Sequence, residues 1–112
     1  MNALVVEDNP IELRVLQNQL DIIGISAETC TSLNSAVKRL QSPGVDIVLL
    51  DLNLDDSMGL DTIDKIMPVV MRTPVLVITG TMDVRAVYAM AKGINGIKGQ
   101  GQRFQRWDRR YP

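Results

Sequence analysis

The sequence contains no histidine, and this absence removes several classes of protein from consideration. Ser-His-Asp and Cys-His nucleophile systems need an imidazole, as do histidine phosphodonors and most zinc sites. The only cysteine, Cys30, cannot form an internal disulfide, which is typical of a reducing compartment. We interpret Cys30 as a buried packing residue.

Long apolar runs are also lacking, because no stretch approaches the roughly 20 residues of a membrane span. The first residues, MNALVVEDNP, lack the basic start and long apolar centre of a signal peptide. We therefore expect a cytoplasmic protein that does not contact membranes.

The length of 112 residues and the hydrophobic content of 46% suit one globular domain. Charged residues are nevertheless distributed unevenly along the chain. Residues 97–112 carry five basic groups and one acidic group, three of the four aromatic residues and no helical apolar stripe. We predict a folded domain over residues 1–98 and a basic, irregular tail over 99–112. Nucleic-acid binding by this tail is disfavoured, because no folded platform is visible to hold its rings.

Apolar spacing in the folded part alternates between strand and helix patterns. Ile47–Leu50 and Val75–Ile78 are uninterrupted apolar runs, which are typical of strands buried on both faces of a parallel sheet. Asn9 with Glu12 fits a capping box and Pro10 suits the first helical position, so a helix is predicted to begin here. The predicted order is β-α repeated four times, followed by a fifth strand at about 94–98. The third helix begins at Leu60, and Pro68 should stop or kink it.

Polar side chains follow three of the predicted strands. Glu7 and Asp8 follow the first strand, Asp51 ends the third, and Thr79 ends the fourth. A five-stranded α/β sheet of order 2-1-3-4-5, the flavodoxin-like arrangement, would bring all four residues to one edge. The sequence therefore predicts a site at this edge.

Three neighbouring carboxylates repel one another unless a cation lies between them. Mg²⁺ is the natural cation for such a site, and it would let Asp51 act as a nucleophile toward a phosphoryl group. A single Asp at a strand end is more often a turn or cap residue, so the prediction rests on the joint pattern. Asp55, Asp56 and Asp61 are interpreted as solvated residues without chemistry.

The motifs LVVEDNP at 4–10, DIVLLDLNL at 46–54, MGLD at 58–61 and TPVLVITG at 73–80 resemble the response-regulator receiver domains of two-component signalling. The resemblance implies that Glu7 and Asp8 are acidic residues that bind magnesium and that Asp51 is the phosphoacceptor. It further implies that Asn53 offers its backbone carbonyl to the metal and that Thr79 contacts the phosphoryl group.

The same resemblance implies a conformational switch rather than an enzyme, with a sensor histidine kinase or a phosphotransfer protein as the phosphodonor. Lacking histidine, the chain cannot be its own donor.

The carboxyl end departs from the family pattern. In GINGIKGQGQ, Ile97 stands where the family has an aromatic switch residue, and Gln100 stands where it has a phosphate-contacting lysine. Either Lys98 replaces that lysine, or the lysine is missing and signal transmission is impaired. The fifth helix of the family is missing or irregular here. The uncovered sheet edge favours a homodimer or a strand-exchanged dimer. A natural short form and an altered fragment would both give this sequence.

Two alternative functions follow from these observations. The chain could be a receiver-like interaction module whose phosphorylation is impaired, because the switch residues are lost. The segment DLNL also resembles the Asp-x-Asp motif of haloacid-dehalogenase-like phosphatases, but Asn53 stands where that motif needs its second acid. We disfavour this enzymatic alternative.

Overall fold

Four parallel strands form the centre of the molecule. The structure is a computed structural model, and it describes residues 1–70, 72–78 and the backbone of 104–107. The strands are β1 (Asn2–Val6), β2 (Ser26–Cys30), β3 (Ile47–Asp51) and β6 (Val75–Ile78). Their order across the sheet is β2-β1-β3-β6, and all neighbours among them are parallel. The predicted α/β, flavodoxin-like arrangement is therefore confirmed for these strands.

Helices cover both faces of this sheet because the strands bury alternate side chains on each side. On one face, Leu16 and Leu20 of α1 (Pro10–Ile22) contact a cluster that includes Val5 and Leu49. On the other face, α2 (Leu33–Leu40) and α3 (Leu60–Val70) contact a cluster that includes Leu50. No helix in the described part of the chain has the length and hydrophobicity needed to cross a bilayer.

The fifth strand differs from the prediction. It is β7 (Phe104–Trp107), which pairs antiparallel with β6. This corrects the prediction of a parallel fifth strand in the sheet, and it places a strand in the stretch predicted to be irregular. An open edge of β6 would leave backbone groups unpaired, and aromatic residues favour strands. An antiparallel edge strand on a parallel sheet is a common solution.

Several other predictions concern residues outside the described ranges. These are the strand at 94–98, the helix before it, the boundary at residue 98, and the fate of the fifth helix of the family.

Helix α3 continues through Pro68 to Val70, whereas the sequence predicts a stop or kink at this proline. The hydrogen bond that a proline cannot make would involve the carbonyl of Asp64, which lies on the exposed side of the helix. Val70 is buried in the core together with Ile66, one turn earlier. Core packing of the last turn therefore outweighs the local cost of Pro68.

A short hairpin between β3 and α3 is made by β4 (Asn53–Leu54) and β5 (Ser57–Met58). Asp56 at its tip accepts hydrogen bonds from the backbone N–H groups of Leu33 (2.9 Å) and Asn34 (3.0 Å), at the start of α2. The N-cap residue Ser32 accepts a third N–H from Ser35. Asp56 is an exposed loop residue, as the sequence predicts, and it also caps α2 from another loop, a role that the sequence did not indicate.

Asp56→Ala is expected to lower the free energy of unfolding by about 1 kcal/mol at pH 7. The two N–H donors hold the pKa of Asp56 below its ordinary 3.8. A lowered pKa stabilises the fold above pH 3.8, and this stabilisation is lost as the pH falls through the lower, folded-state value. Urea denaturation at pH 7 and pH 3 measures the effect.

The matched control is Asp55→Ala, which removes the neighbouring exposed carboxylate. Equal stability of the Asp55 and Asp56 variants at pH 7 would contradict the capping role of Asp56.

Candidate functional site

The three predicted metal acids meet where the connections from β1 and β3 run to opposite sides of the sheet. Val6 pairs with Leu50 in adjacent parallel strands, so Glu7 and Asp8 after β1 lie beside Asp51 at the end of β3. One carboxylate oxygen from each acid lies within 4.8 Å of the other two. The carboxyl ends of adjacent strands at such a switch point commonly form a ligand crevice.

Glu7 is the most buried of the three acids, with 7% of its surface exposed. Burial raises the pKa of Glu7 from 4.5 to about 7. A hydrogen bond from the Asn9 backbone N–H opposes this rise (3.0 Å), while the negative charge of Asp51 adds to it. The acids therefore repel one another at close range, which is the environment that a divalent cation relieves.

Backbone groups fix the orientation of two of these carboxylates. Asp51 Oδ1 accepts a hydrogen bond from the backbone N–H of Asn53 (3.0 Å). Glu7 Oε1 accepts the N–H of Asn9, whereas the capping box predicted from the sequence would assign that N–H to Glu12. Asn9 still caps α1, because its side chain accepts the N–H groups of Ile11 and Glu12. The carboxylates are thus held in place by the chain that follows each strand.

An open cleft of about 730 Å³ lies over the acid cluster. Glu12, Asn53 and Ile78 contribute to its walls. Ile78 pairs with Asp51 across β3 and β6, so the end of β6 reaches the cleft. The cleft has room for a small ligand beside the three acids.

The predicted roles of three other site residues, Asn53, Thr79 and Lys98, are not tested by the described part of the chain. Asn53 lies at the cleft, and its backbone N–H contacts Asp51, while its carbonyl stays a predicted metal ligand. Thr79 and Lys98 lie outside the described residues, as do Ile97 and Gln100. Their roles stay predictions.

The sequence did not indicate a buried pair of hydroxyl groups behind the site. Thr62 on the first turn of α3 is fully buried, and its Oγ1 lies 2.8 Å from Ser57 Oγ. Thr62 also donates to the backbone carbonyl of Leu52 (2.9 Å), the residue that follows Asp51. Thr62 stands four residues before the buried Ile66, which is helical spacing, but a threonine does not count toward an apolar stripe in the sequence.

Comparison with known proteins agrees with this geometry. The response regulator receiver domain family matches residues 3–97. The sensor histidine kinase RcsC of Salmonella typhimurium is 33% identical over 79 residues, which are 70% of this chain and 8% of RcsC. The chain spans only 8% or 9% of the length of the curated relatives it matches.

Solved receiver domains share the fold of this chain. A CheY-like receiver domain from Methylobacillus flagellatus superposes with a TM-score of 0.70 at 21% identity, covering 85% of this chain and 98% of that chain. The receiver domain of sensor histidine kinase PA1611 from Pseudomonas aeruginosa has a TM-score of 0.64 and 25% identity, covering 70% of this chain and 66% of its own. That structure holds a magnesium ion in its active site cleft. The chain described here belongs to the response regulator receiver domain family of two-component signalling.

Proposed function

We propose that this receiver domain accepts a phosphoryl group on Asp51 from a phosphohistidine of a partner protein and changes conformation in response. The observation that carries the proposal is the convergence of Glu7, Asp8 and Asp51 at one edge of the sheet, with their oxygens within 4.8 Å of one another. A carboxylate that lines an open cleft and is oriented by a backbone N–H is suited to attack an incoming group.

The residues fit Mg²⁺, because three carboxylates crowd together and burial raises the pKa of Glu7. Glu7, Asp8 and Asp51 would hold the ion, with the carbonyl of Asn53 as a fourth oxygen ligand. Bound Mg²⁺ supplies positive charge that offsets the negative charge of the phosphoryl oxygens.

The chemistry of Asp51 is a phosphoryl transfer. A carboxylate oxygen of Asp51 attacks phosphorus, an O–P bond forms, and the P–N bond of the phosphohistidine breaks. The imidazole leaves with the electron pair of that bond and takes up a proton. The product is an acyl phosphate on Asp51, and Thr79 is proposed to contact its oxygens.

A sensor histidine kinase or a phosphotransfer protein is the proposed partner, since the chain has no histidine and its relatives include histidine kinases. A cytoplasmic location belongs to the same proposal. Self-association remains a prediction, which sedimentation velocity tests. Within the described ranges, the edge of β6 is covered by β7.

Incubation of the wild-type chain with acetyl phosphate and Mg²⁺ is expected to add one phosphoryl group, and excess EDTA is expected to prevent this. Acetyl phosphate contains the same kind of mixed anhydride as the proposed product, so it can donate without a protein partner. Intact-protein mass spectrometry measures the added mass. Mg²⁺ binding without any added mass would contradict phosphoacceptor function and favour the phosphorylation-impaired interaction module.

A further inference from the structure

The loop that follows the proposed phosphoacceptor is closed by two hydrogen bonds to one carbonyl. The carbonyl oxygen of Leu52 accepts from the backbone N–H of Gly59 (2.9 Å) and from Thr62 Oγ1 (2.9 Å). Gly59 has φ of +64°, a backbone conformation that favours glycine. The backbone beside Asp51 is therefore held from the beginning of α3.

The direction of the hydroxyl hydrogen bonds follows from their chemistry. A carbonyl oxygen can only accept, so the single proton of the Thr62 hydroxyl goes to Leu52. The proton between the two hydroxyls, whose oxygens are 2.8 Å apart, must then come from Ser57. Ser57 donates to Thr62, and Thr62 donates to Leu52. Only the second bond reaches the backbone beside Asp51.

The Leu52 carbonyl and the Asn53 N–H belong to the same peptide unit, which is planar and rigid. The oxygen end of this plane accepts from Thr62 and Gly59. The nitrogen end donates to Asp51 Oδ1 at 3.0 Å. Rotation of the plane at one end therefore moves the hydrogen bond at the other, so the hydroxyl of Thr62, ten residues after Leu52 in sequence, affects the Asp51 carboxylate.

We propose that Thr62 is a positioning residue for Asp51, acting through the peptide plane between Leu52 and Asn53. This inference rests on the proposed function of Asp51. Thr62 does not contact the metal or the phosphoryl group. It fixes the plane whose N–H orients the carboxylate and whose following residue, Asn53, carries the fourth proposed oxygen ligand.

Thr62→Val is the informative substitution, because it keeps the shape of the side chain and replaces only the hydroxyl by a methyl group. We expect Mg²⁺ affinity and the rate of labelling by acetyl phosphate to fall roughly tenfold, the size of effect typical when a group that orients a metal ligand is lost. Thr62→Ser keeps the hydroxyl and is expected to stay within about threefold of wild type in both measurements.

A second readout needs no metal. In the metal-free protein, exchange of the Asn53 amide hydrogen, followed by NMR, is expected to be faster in Thr62→Val than in wild type. The matched control is Ser57→Ala, which removes the other buried hydroxyl, and with it the bond to Thr62, but leaves the bond from Thr62 to Leu52 intact. Ser57→Ala is expected to lower stability while leaving Mg²⁺ affinity and Asn53 exchange near wild type.

The inference is overturned if Thr62→Val keeps wild-type Mg²⁺ affinity and Asn53 exchange, or if Ser57→Ala loses as much affinity as Thr62→Val. Thr62→Ala, which also lacks the hydroxyl, replaces Thr62→Val if that variant does not fold. Failure of the wild type to bind Mg²⁺ would refute the proposed function instead. Asn53 exchange in the metal-free protein still tests the role of Thr62 in that case.

Discussion

Glu7→Gln is expected to stabilise the metal-free protein at pH 8 by up to about 3 kcal/mol, because it removes a buried carboxylate beside two others. The pKa of Glu7 is raised from 4.5 to about 7 in the folded protein, with burial as the largest cause. Below pH 4.5 the group is protonated in both the folded and the unfolded chain. Between pH 4.5 and about 7 the unfolded chain ionises this group while the folded protein keeps it protonated, so the wild type loses stability that the glutamine variant keeps.

The same substitution is expected to abolish the stabilisation that Mg²⁺ would give the wild type at the proposed site, because a neutral amide replaces a charged ligand. A ligand that binds only the folded state stabilises it in proportion to the logarithm of its concentration over Kd. Urea denaturation at pH 5 and pH 8, with EDTA or with Mg²⁺, measures both effects. The pH 5 comparison is expected to show a smaller difference between the two proteins.

Glu12→Gln is the matched control, since Glu12 is an exposed carboxylate in the cleft wall outside the acid cluster. It is expected to leave the unfolding free energy of the metal-free protein nearly unchanged. Equal stability of wild type and Glu7→Gln at pH 8 in EDTA would contradict the assignment of Glu7 as a strained buried acid.

Much of the fold was predictable because its parallel strands carry a strong local pattern. Ile47–Leu50 is fully buried, as an uninterrupted apolar run in a doubly covered sheet predicts. The identity of the fifth strand was not predictable in this way, because an edge strand is selected by the partner available to it. The segment Phe104–Trp107 shows no apolar alternation of its own, yet it pairs with β6.

Helix α3 shows where local periodicity misleads. The sequence favours a stripe of Leu60, Ile63 and Met67, but Leu60 is 66% exposed. The buried face instead contains Thr62, Ile63, Ile66 and Val70. The apolar pattern does not include Thr62, although its hydroxyl is satisfied within the core by Ser57 and Leu52.

In the candidate site, the positions of some residues follow from the sequence pattern and the roles of others do not. Convergence of Glu7, Asp8 and Asp51 followed from strand order alone, because acids at the ends of adjacent parallel strands meet at one edge. The roles of Asp56 and Thr62 depend on contacts across loops, 23 and 10 residues distant in sequence. Such contacts require the folded backbone, so sequence patterns could not identify them.

Asp51→Asn is expected to abolish labelling by acetyl phosphate, because an amide has no anionic oxygen to attack phosphorus. The amide oxygen can still accept the Asn53 N–H, so the loop should keep its conformation. Loss of the Asp51 charge also removes one cause of the raised pKa of Glu7, which is expected to fall toward its ordinary value. The metal-free variant should therefore be more stable than wild type at pH 8.

Asp55→Asn is the matched control for this prediction, since it makes the same chemical change at an exposed residue of the hairpin tip. Intact-protein mass spectrometry after acetyl phosphate treatment is expected to show one added phosphoryl group in the control and none in Asp51→Asn. Labelling of Asp51→Asn at the wild-type rate would assign the acceptor to another residue. Loss of labelling accompanied by lower stability at pH 8 would instead indicate that the carboxylate of Asp51 supports the fold, and that its proximity to Glu7 is not the source of strain.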